Sequence, residues 1–121
     1  MRLETLLRAA GDPTRLRILN LLTQGSVCVC DLQGVLKQPQ PTVSRHLAVL
    51  RHAGLIADVR QGNRIFYSRI ATGAHAQSLF EFLDRNAQGE ERLQRDLELL
   101  RALWSKGSCS ASETQLESMA P

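Results

Sequence analysis

Two cysteines one residue apart, in "SVCVCDLQGVL" from Ser26 to Leu36, carry the most distinctive chemistry in this chain of 121 residues. In a helix, side chains two residues apart diverge by about 200° and cannot share a small ion. In an extended segment the side-chain period is two, so Cys28 and Cys30 lie on one face and Val27 and Val29 on the other. "SVCV" suits a short strand, which sets Cys30 at or beside the N-cap of a helix starting at Asp31. Two soft thiolates on one face make a site for a thiophilic ion. Two other uses compete with it. Buried cysteine also serves as a small hydrophobe, and a redox pair is conceivable, although CxC lacks the CxxC spacing of thioredoxin-like couples. The third cysteine, Cys109, lies in the Ser-rich end "GSCSASETQLESMAP" and is a candidate third ligand without a fixed place.

A second set of residues has the chemistry of DNA recognition. In "PTVSRHLAVLRHAG", Val43, Leu47 and Leu50 fall on one helical stripe, with Thr42, Arg45, Val49 and His52 roughly opposite. Residues near the N-terminus of such a helix reach base edges in the major groove. Thr42 and Arg45 are therefore the expected base-facing residues, with Gln40, Ser44 and His46 beside them. The Arg45 fork suits guanine, and Thr42 suits a thymine methyl or a phosphate. Arg60 and Arg64, further on, are placed to track phosphates. Charge agrees with this reading. From Lys37 to Arg69 there are six basic side chains and one acid, Asp58, in a chain whose net charge is +3. Such asymmetry is the footprint of a nucleic-acid face.

The elements that must position these residues follow from periodicity and punctuation. Leu3, Leu6, Leu7 and Ala10 predict an amphipathic helix ended by Gly11. "DPTRLRILNLL" predicts a second, capped by Asp12, opened by Pro13 and ended by Gly25, with Leu16, Ile18, Leu19 and Leu22 inward. Asp31 to Leu36 predicts a short helix, and "KQPQP" separates it from the helix opened by Pro41. That pair is a helix-turn-helix pattern. "LIADVR" and "RIFYSRI", joined by "QGN", predict a β-hairpin, which directly after a helix-turn-helix is a wing. From Ala74 to about Lys106 the helical period returns as one long helix or two meeting near Gly89. The fold class is thus mainly α with a small β-hairpin wing: residues 1–106 form the domain, and 107–121 are expected to be a disordered tail.

Several function classes drop out. Five aromatic residues are too few for stacking platforms. No signal peptide or membrane span is expected, so the chain is read as cytoplasmic, its thiols reduced. No CxxC, Gly-rich phosphate loop or Ser/His/Asp arrangement appears, which favours a binding module over an enzyme.

The motifs "DPTRLRILNLL", "VCVCDL", "QPTVSRHLAVLRHAGLI" and "RQGNRIFYS", in order from about Leu6 to Ile70, resemble the ArsR/SmtB family of winged-helix metalloregulatory repressors. The resemblance implies a homodimer, joined through the first and last helices, on double-stranded operator DNA. It implies repression by the metal-free form and release when an inducer, As(III) or Sb(III), binds Cys28 and Cys30. "VCVCDL" is similar to the arsenite-responsive inducer box and to a variant in cadmium/lead sensors, so cadmium/lead or thiol-redox response is the alternative. Two positions depart from the pattern. Gln33 stands where the fuller arsenite box has a third cysteine, and Pro39 stands where the family usually has a Ser. The family's zinc-type sensors use His and carboxylate pairs on the last helix; His75, Glu81 and Asp84 lack the repeated spacing and read as solvated residues.

Overall fold

The first three helices are set by local rules. The computed structural model describes residues 2–107. Helix α1 spans Leu3–Ala10 and ends at Gly11. Helix α2 spans Pro13–Leu21, and the Asp12 carboxylate accepts hydrogen bonds from the backbone N–H groups of Thr14 and Arg15 at 2.9 and 3.1 Å. This N-cap, followed by Pro13 where a missing N–H costs nothing, is the start read from the sequence. A 3-10 turn over Leu22–Gln24 extends α2 to Gly25, whose φ of 112° favours glycine.

Strand β1 is only Val27–Cys28, and helix α3 runs Val29–Leu36. The helix thus starts two residues earlier than the predicted Asp31, and its N-cap is Cys28 rather than Cys30. Lys37 closes α3 in the left-handed region at φ 54°, its N–H donating to the Gln33 carbonyl. Helix α4, Gln40–His52, follows, with Pro39 as its N-cap. Pro39 offers no side-chain acceptor, so the Thr42 and Val43 N–H groups share its carbonyl at 3.0 and 3.1 Å.

Strands β2, Ile56–Gln61, and β3, Arg64–Arg69, form the hairpin. Gly62 takes φ 63°, the positive first position of a II′-type two-residue turn. The short strand expected at "SVCV" is the third member of this sheet, a pairing that the sequence did not reveal. Strand β1 pairs antiparallel with β3, Val27 opposite Tyr67 and Cys28 opposite Phe66, giving the order β1-β3-β2. Helices α5, Ala74–Ala87, and α6, Glu91–Ser105, are the last elements of the described residues, two helices meeting near Gly89. Among the described residues no helix is long and apolar enough to cross a membrane.

The core is aliphatic. Ile18, Leu19, Leu21, Leu32, Val43, Leu47, Leu50 and Leu100 are buried almost completely. Helix α2 lies at the centre, and its last turns are buried all round, including Arg17 and Asn20. Leu16, predicted inward, is only half-buried. The Arg17 guanidinium grips Asp96 of α6 through two hydrogen bonds of 2.7 and 3.0 Å, and the Asn20 amide donates to the Leu93 carbonyl at 2.9 Å. These contacts fasten α6 across the central helix. Leu3, Leu7 and Phe82 leave an apolar face open on α1 and α5, Phe82 being 63% exposed.

Candidate nucleic-acid interface and thiolate pair

The helix expected to read DNA presents the predicted stripe and the predicted outer face. Val43, Leu47 and Leu50 are buried, whereas Gln40, Ser44 and Arg45 are exposed and Thr42 is half-buried. His46 behaves differently. Its Nδ1 stands 3.1 Å from an Arg15 guanidinium nitrogen and 3.8 Å from the Asp12 carboxylate, so the ring turns back against the start of α2. Because arginine can only donate, this contact needs Nδ1 as the acceptor and the proton on Nε2. His46 is thereby drawn away from the row formed by Thr42 and Arg45.

Arg45 instead has cationic neighbours that the sequence pattern did not bring forward. A groove of about 560 Å³ between α1 and α4 is lined by Arg8, Arg15, Arg45, Val49 and His52, with Thr5 at its edge. Arg8 of α1 and Arg15 of α2 lie far from Arg45 in sequence, and only the packing of both helices on α4 joins them. The apparent basic block loses two members in exchange. Arg69 forms a fork on Asp84 at 2.9 and 3.0 Å and stacks 4.0 Å over the Phe80 ring; Arg51 lies 3.7 Å from Asp58. Arg69 thus ties the base of the wing to α5. Arg60 and Arg64 sit near the wing tip, opposite Ile65 and Gln61 respectively. Cross-strand partners share a face and neighbours alternate, so these two arginines face opposite sides of the ribbon.

The cysteine pair comes together by a route other than the expected extended strand. Cys28 is the N-cap, Val29 the first helical residue and Cys30 the second. An N-cap side chain bends over the first turn to meet the N–H groups there. The Cys28 sulfur does so, accepting from the Cys30 N–H at 3.4 Å, and its Sγ lies 2.6 Å from that of Cys30. Cys28 is 2% exposed and Cys30 is exposed, so the pair has one buried and one open sulfur. Asp31, next in the turn, is buried and accepts a hydrogen bond from the Trp104 indole of α6 at 3.0 Å. Cys109 lies outside the described residues.

A three-stranded antiparallel sheet carrying a wing, beside two helices joined by a tight polar break, defines a winged helix-turn-helix DNA-binding regulator. Residues 12–58 match the model of the bacterial regulatory protein arsR family. Over 61 residues the chain is 51% identical to an uncharacterised HTH-type transcriptional regulator of Methanocaldococcus jannaschii, covering 50% of this chain and 68% of that protein. It is 49% identical over 63 residues to the arsenical resistance operon repressor of Escherichia coli K12, covering 51% of this chain and 54% of that one. The match thus spans about half the length of that repressor. Among solved structures, a homodimeric winged helix-turn-helix DNA-binding domain from Mycobacterium bovis, a possible ArsR-family regulator, aligns with TM-score 0.60 at 27% identity. That alignment covers 73% of this chain and 80% of the other. The chain belongs to the arsR family and is a transcriptional regulator rather than an enzyme.

Proposed function

We propose that this chain is a metalloid-responsive repressor whose inducer-free homodimer holds operator DNA and lets go when As(III) or Sb(III) binds Cys28 and Cys30. The observation that carries the reading is the 2.6 Å approach of the two sulfurs at the junction of β1 and α3. Sulfurs that share one ion through bonds of about 2.3 Å at angles of about 90–110° stand about 3.3–3.8 Å apart. The two side chains converge to less than that span, so a modest opening of the pair lets both sulfurs reach one soft ion, which the residues fit. When bound, such an ion supplies a Lewis-acidic centre that takes up thiolate lone pairs.

The consequence for the protein lies in what Cys28 does otherwise. Its sulfur caps α3, and its backbone pairs with Phe66 of the wing strand. A Cys28 sulfur engaged elsewhere no longer accepts from the Cys30 N–H, and the first turn of α3 loses its cap. Helix α3 packs against α4, and β1 is bonded to β3, so both DNA-reading parts adjoin the disturbed turn.

On this reading Thr42 and Arg45 contact base edges, with Gln40 and Ser44 beside them. Arg60 and Arg64 contact phosphates from the two sides of the wing, and His46 positions α4 through Arg15 and Asp12 instead of touching DNA. The second copy covers the apolar groove of about 310 Å³ lined by Leu7, Leu16, Leu79, Phe82 and Leu83. The homodimeric neighbour and the exposed Leu3, Leu7 and Phe82 support this assignment.

Fluorescence anisotropy on a duplex from the upstream region, titrated with arsenite and separately with cadmium, tests the proposal. Arsenite should release the wild type, and Cys28→Ser and Cys30→Ser should each stay bound. Release of both variants by arsenite would end the assignment of the site. Release by cadmium alone would move the chain to the cadmium/lead type.

A further inference from the structure

The face that α4 offers to DNA continues onto two other helices. Arg45, Val49 and His52 recur at helical spacing along its outer side, and all three line the groove of about 560 Å³. Thr5 and Arg8 of α1 and Arg15 of α2 line it as well, and no described acid does. Asp12, beside Arg15 and His46, is turned onto the N–H groups of Thr14 and Arg15. Among the described residues Arg8 and Arg45 are exposed and form no ion pair. Holding their guanidinium groups and that of Arg15 in one groove costs mutual repulsion, which an anion placed among them removes.

Arg15 is already fixed for such a contact. Its Nε donates to the Ala9 carbonyl at 2.6 Å, and its terminal nitrogens stand 3.1 Å from His46 Nδ1 and 3.4 Å from the Arg8 carbonyl. These bonds tie the end of α1 to α4 and leave further N–H donors of the same guanidinium for the groove. A side chain held in this way has little freedom left to lose on binding. Helix α1 is also two-sided. Thr5 and Arg8 lie roughly 150° around the helix from Leu3 and Leu7. The apolar side is the one assigned to the second copy, so the side carrying Thr5 and Arg8 stays open beside α4.

We infer that the groove between α1 and α4 seats a backbone phosphate of the DNA, held by Arg8 and Arg15 next to the base contact of Arg45. This rests on the reading of Thr42 and Arg45 as the base-facing residues, and adds a contact from the two helices that precede the helix-turn-helix. Guanidinium forks suit phosphate oxygens, and a strand whose bases reach Arg45 carries its phosphates past the neighbours of Arg45. The contact carries no sequence information and fixes the orientation of α4 on the duplex.

The test is fluorescence anisotropy of the full-chain dimer on the upstream duplex and on a random duplex, over a range of salt. Arg8→Gln should flatten the plot of log affinity against log salt by about 1.8, because the dimer gives up one phosphate contact per subunit at about 0.9 each. It should weaken both duplexes by the same factor, leaving the operator-to-random ratio unchanged. Thr5→Glu keeps every arginine and sets a carboxylate on the groove, so it should weaken both duplexes too. Arg101→Gln, an equal loss of charge at an exposed position of α6, is the reference. Thr5, Arg8 and Arg101 are exposed, so each variant should sediment as a dimer and melt like wild type. A salt slope for Arg8→Gln equal to that of Arg101→Gln, or full affinity in Thr5→Glu, would overturn the role of the groove. A narrowed operator-to-random ratio in Arg8→Gln would overturn the phosphate assignment by placing Arg8 on a base. Either result leaves the reading of α4 standing where wild type prefers the upstream duplex and Arg45→Ala does not. A wild type without that preference would overturn both.

Discussion

Replacing Asp96 with alanine tests the physical core of this fold most directly. Arg17 and Asp96 form a two-point ion pair whose side chains are 9% and 2% exposed, with hydrogen bonds of 2.7 and 3.0 Å. Asp96→Ala removes the carboxylate and leaves the guanidinium buried against α6 without its counter-charge. Breaking one side of a buried pair costs about 3–5 kcal/mol. For a domain of this size, at roughly 4 °C per kcal/mol, the melting temperature should fall by about 12–20 °C. Urea unfolding followed by circular dichroism, at fixed protein concentration because dimerisation adds to apparent stability, reads the same quantity. The double variant Arg17→Met/Asp96→Leu should recover most of the loss, since apolar residues of similar volume carry no desolvation penalty. A loss below ~1 kcal/mol for Asp96→Ala would refute the claim that this pair is desolvated. A double variant as unstable as the single one would place the cost in packing instead of in the stranded charge.

Three other outcomes are expected. Arg45→Ala should narrow the ratio of operator to random-DNA affinity by ~1–3 kcal/mol if its fork reaches a base; anisotropy at one stated salt on both duplexes measures it, and an unchanged ratio would put Arg45 among the phosphate contacts. Phe82→Glu sets a charge on the open apolar face, so sedimentation should find a monomer and operator affinity should drop; an intact dimer would move the interface elsewhere. The sole tyrosine, Tyr67, is held above the ordinary phenol value of 10.0, first by burial and then by the charge of Asp58, with Arg51 opposing. Its stabilising contribution is therefore complete below pH 10 and lost as pH rises through the folded value; an ultraviolet titration showing phenolate below pH 10 in folded protein would contradict that environment.

The legible parts of the fold were those written in neighbouring residues. Asp12 with Pro13, the stripe of Val43, Leu47 and Leu50, and Gly62 in the wing turn each specify a local geometry, and each is found as read. What stayed hidden depends on residues far apart. Arg17 looks like a solvated member of an amphipathic helix until Asp96, far along the chain, supplies its partner. The basic block between Lys37 and Arg69 looks uniform until Asp84 takes Arg69 and α1 brings Arg8 beside Arg45. His46 stands on the flank of the outer face by helical phase, and the start of α2 draws its ring inward. Charge counting along a sequence finds the right region and misassigns individual members, because pairing is a tertiary property.

The cysteine spacing makes the same point from the other direction. Within a helix a CxC pair points to nearly opposite sides, and within a strand its sulfurs are parallel. Here neither regular element contains both residues. Cys28 has extended backbone at φ −70° and ψ 145°, and Cys30 is helical. At such a junction the side chain of the first cysteine folds over the turn that contains the second, because the cap lies outside the helical phase and reaches toward the N–H of the residue two further on. On the proposed function, the junction lets a change confined to two sulfurs reach the helix-turn-helix and the wing without a long relay. The same residue that offers one sulfur ends the strand bonded to the wing and caps the helix packed on α4. A CxC placed wholly within α3 would have had only the helix to act on, and one placed wholly within a longer β1 only the wing.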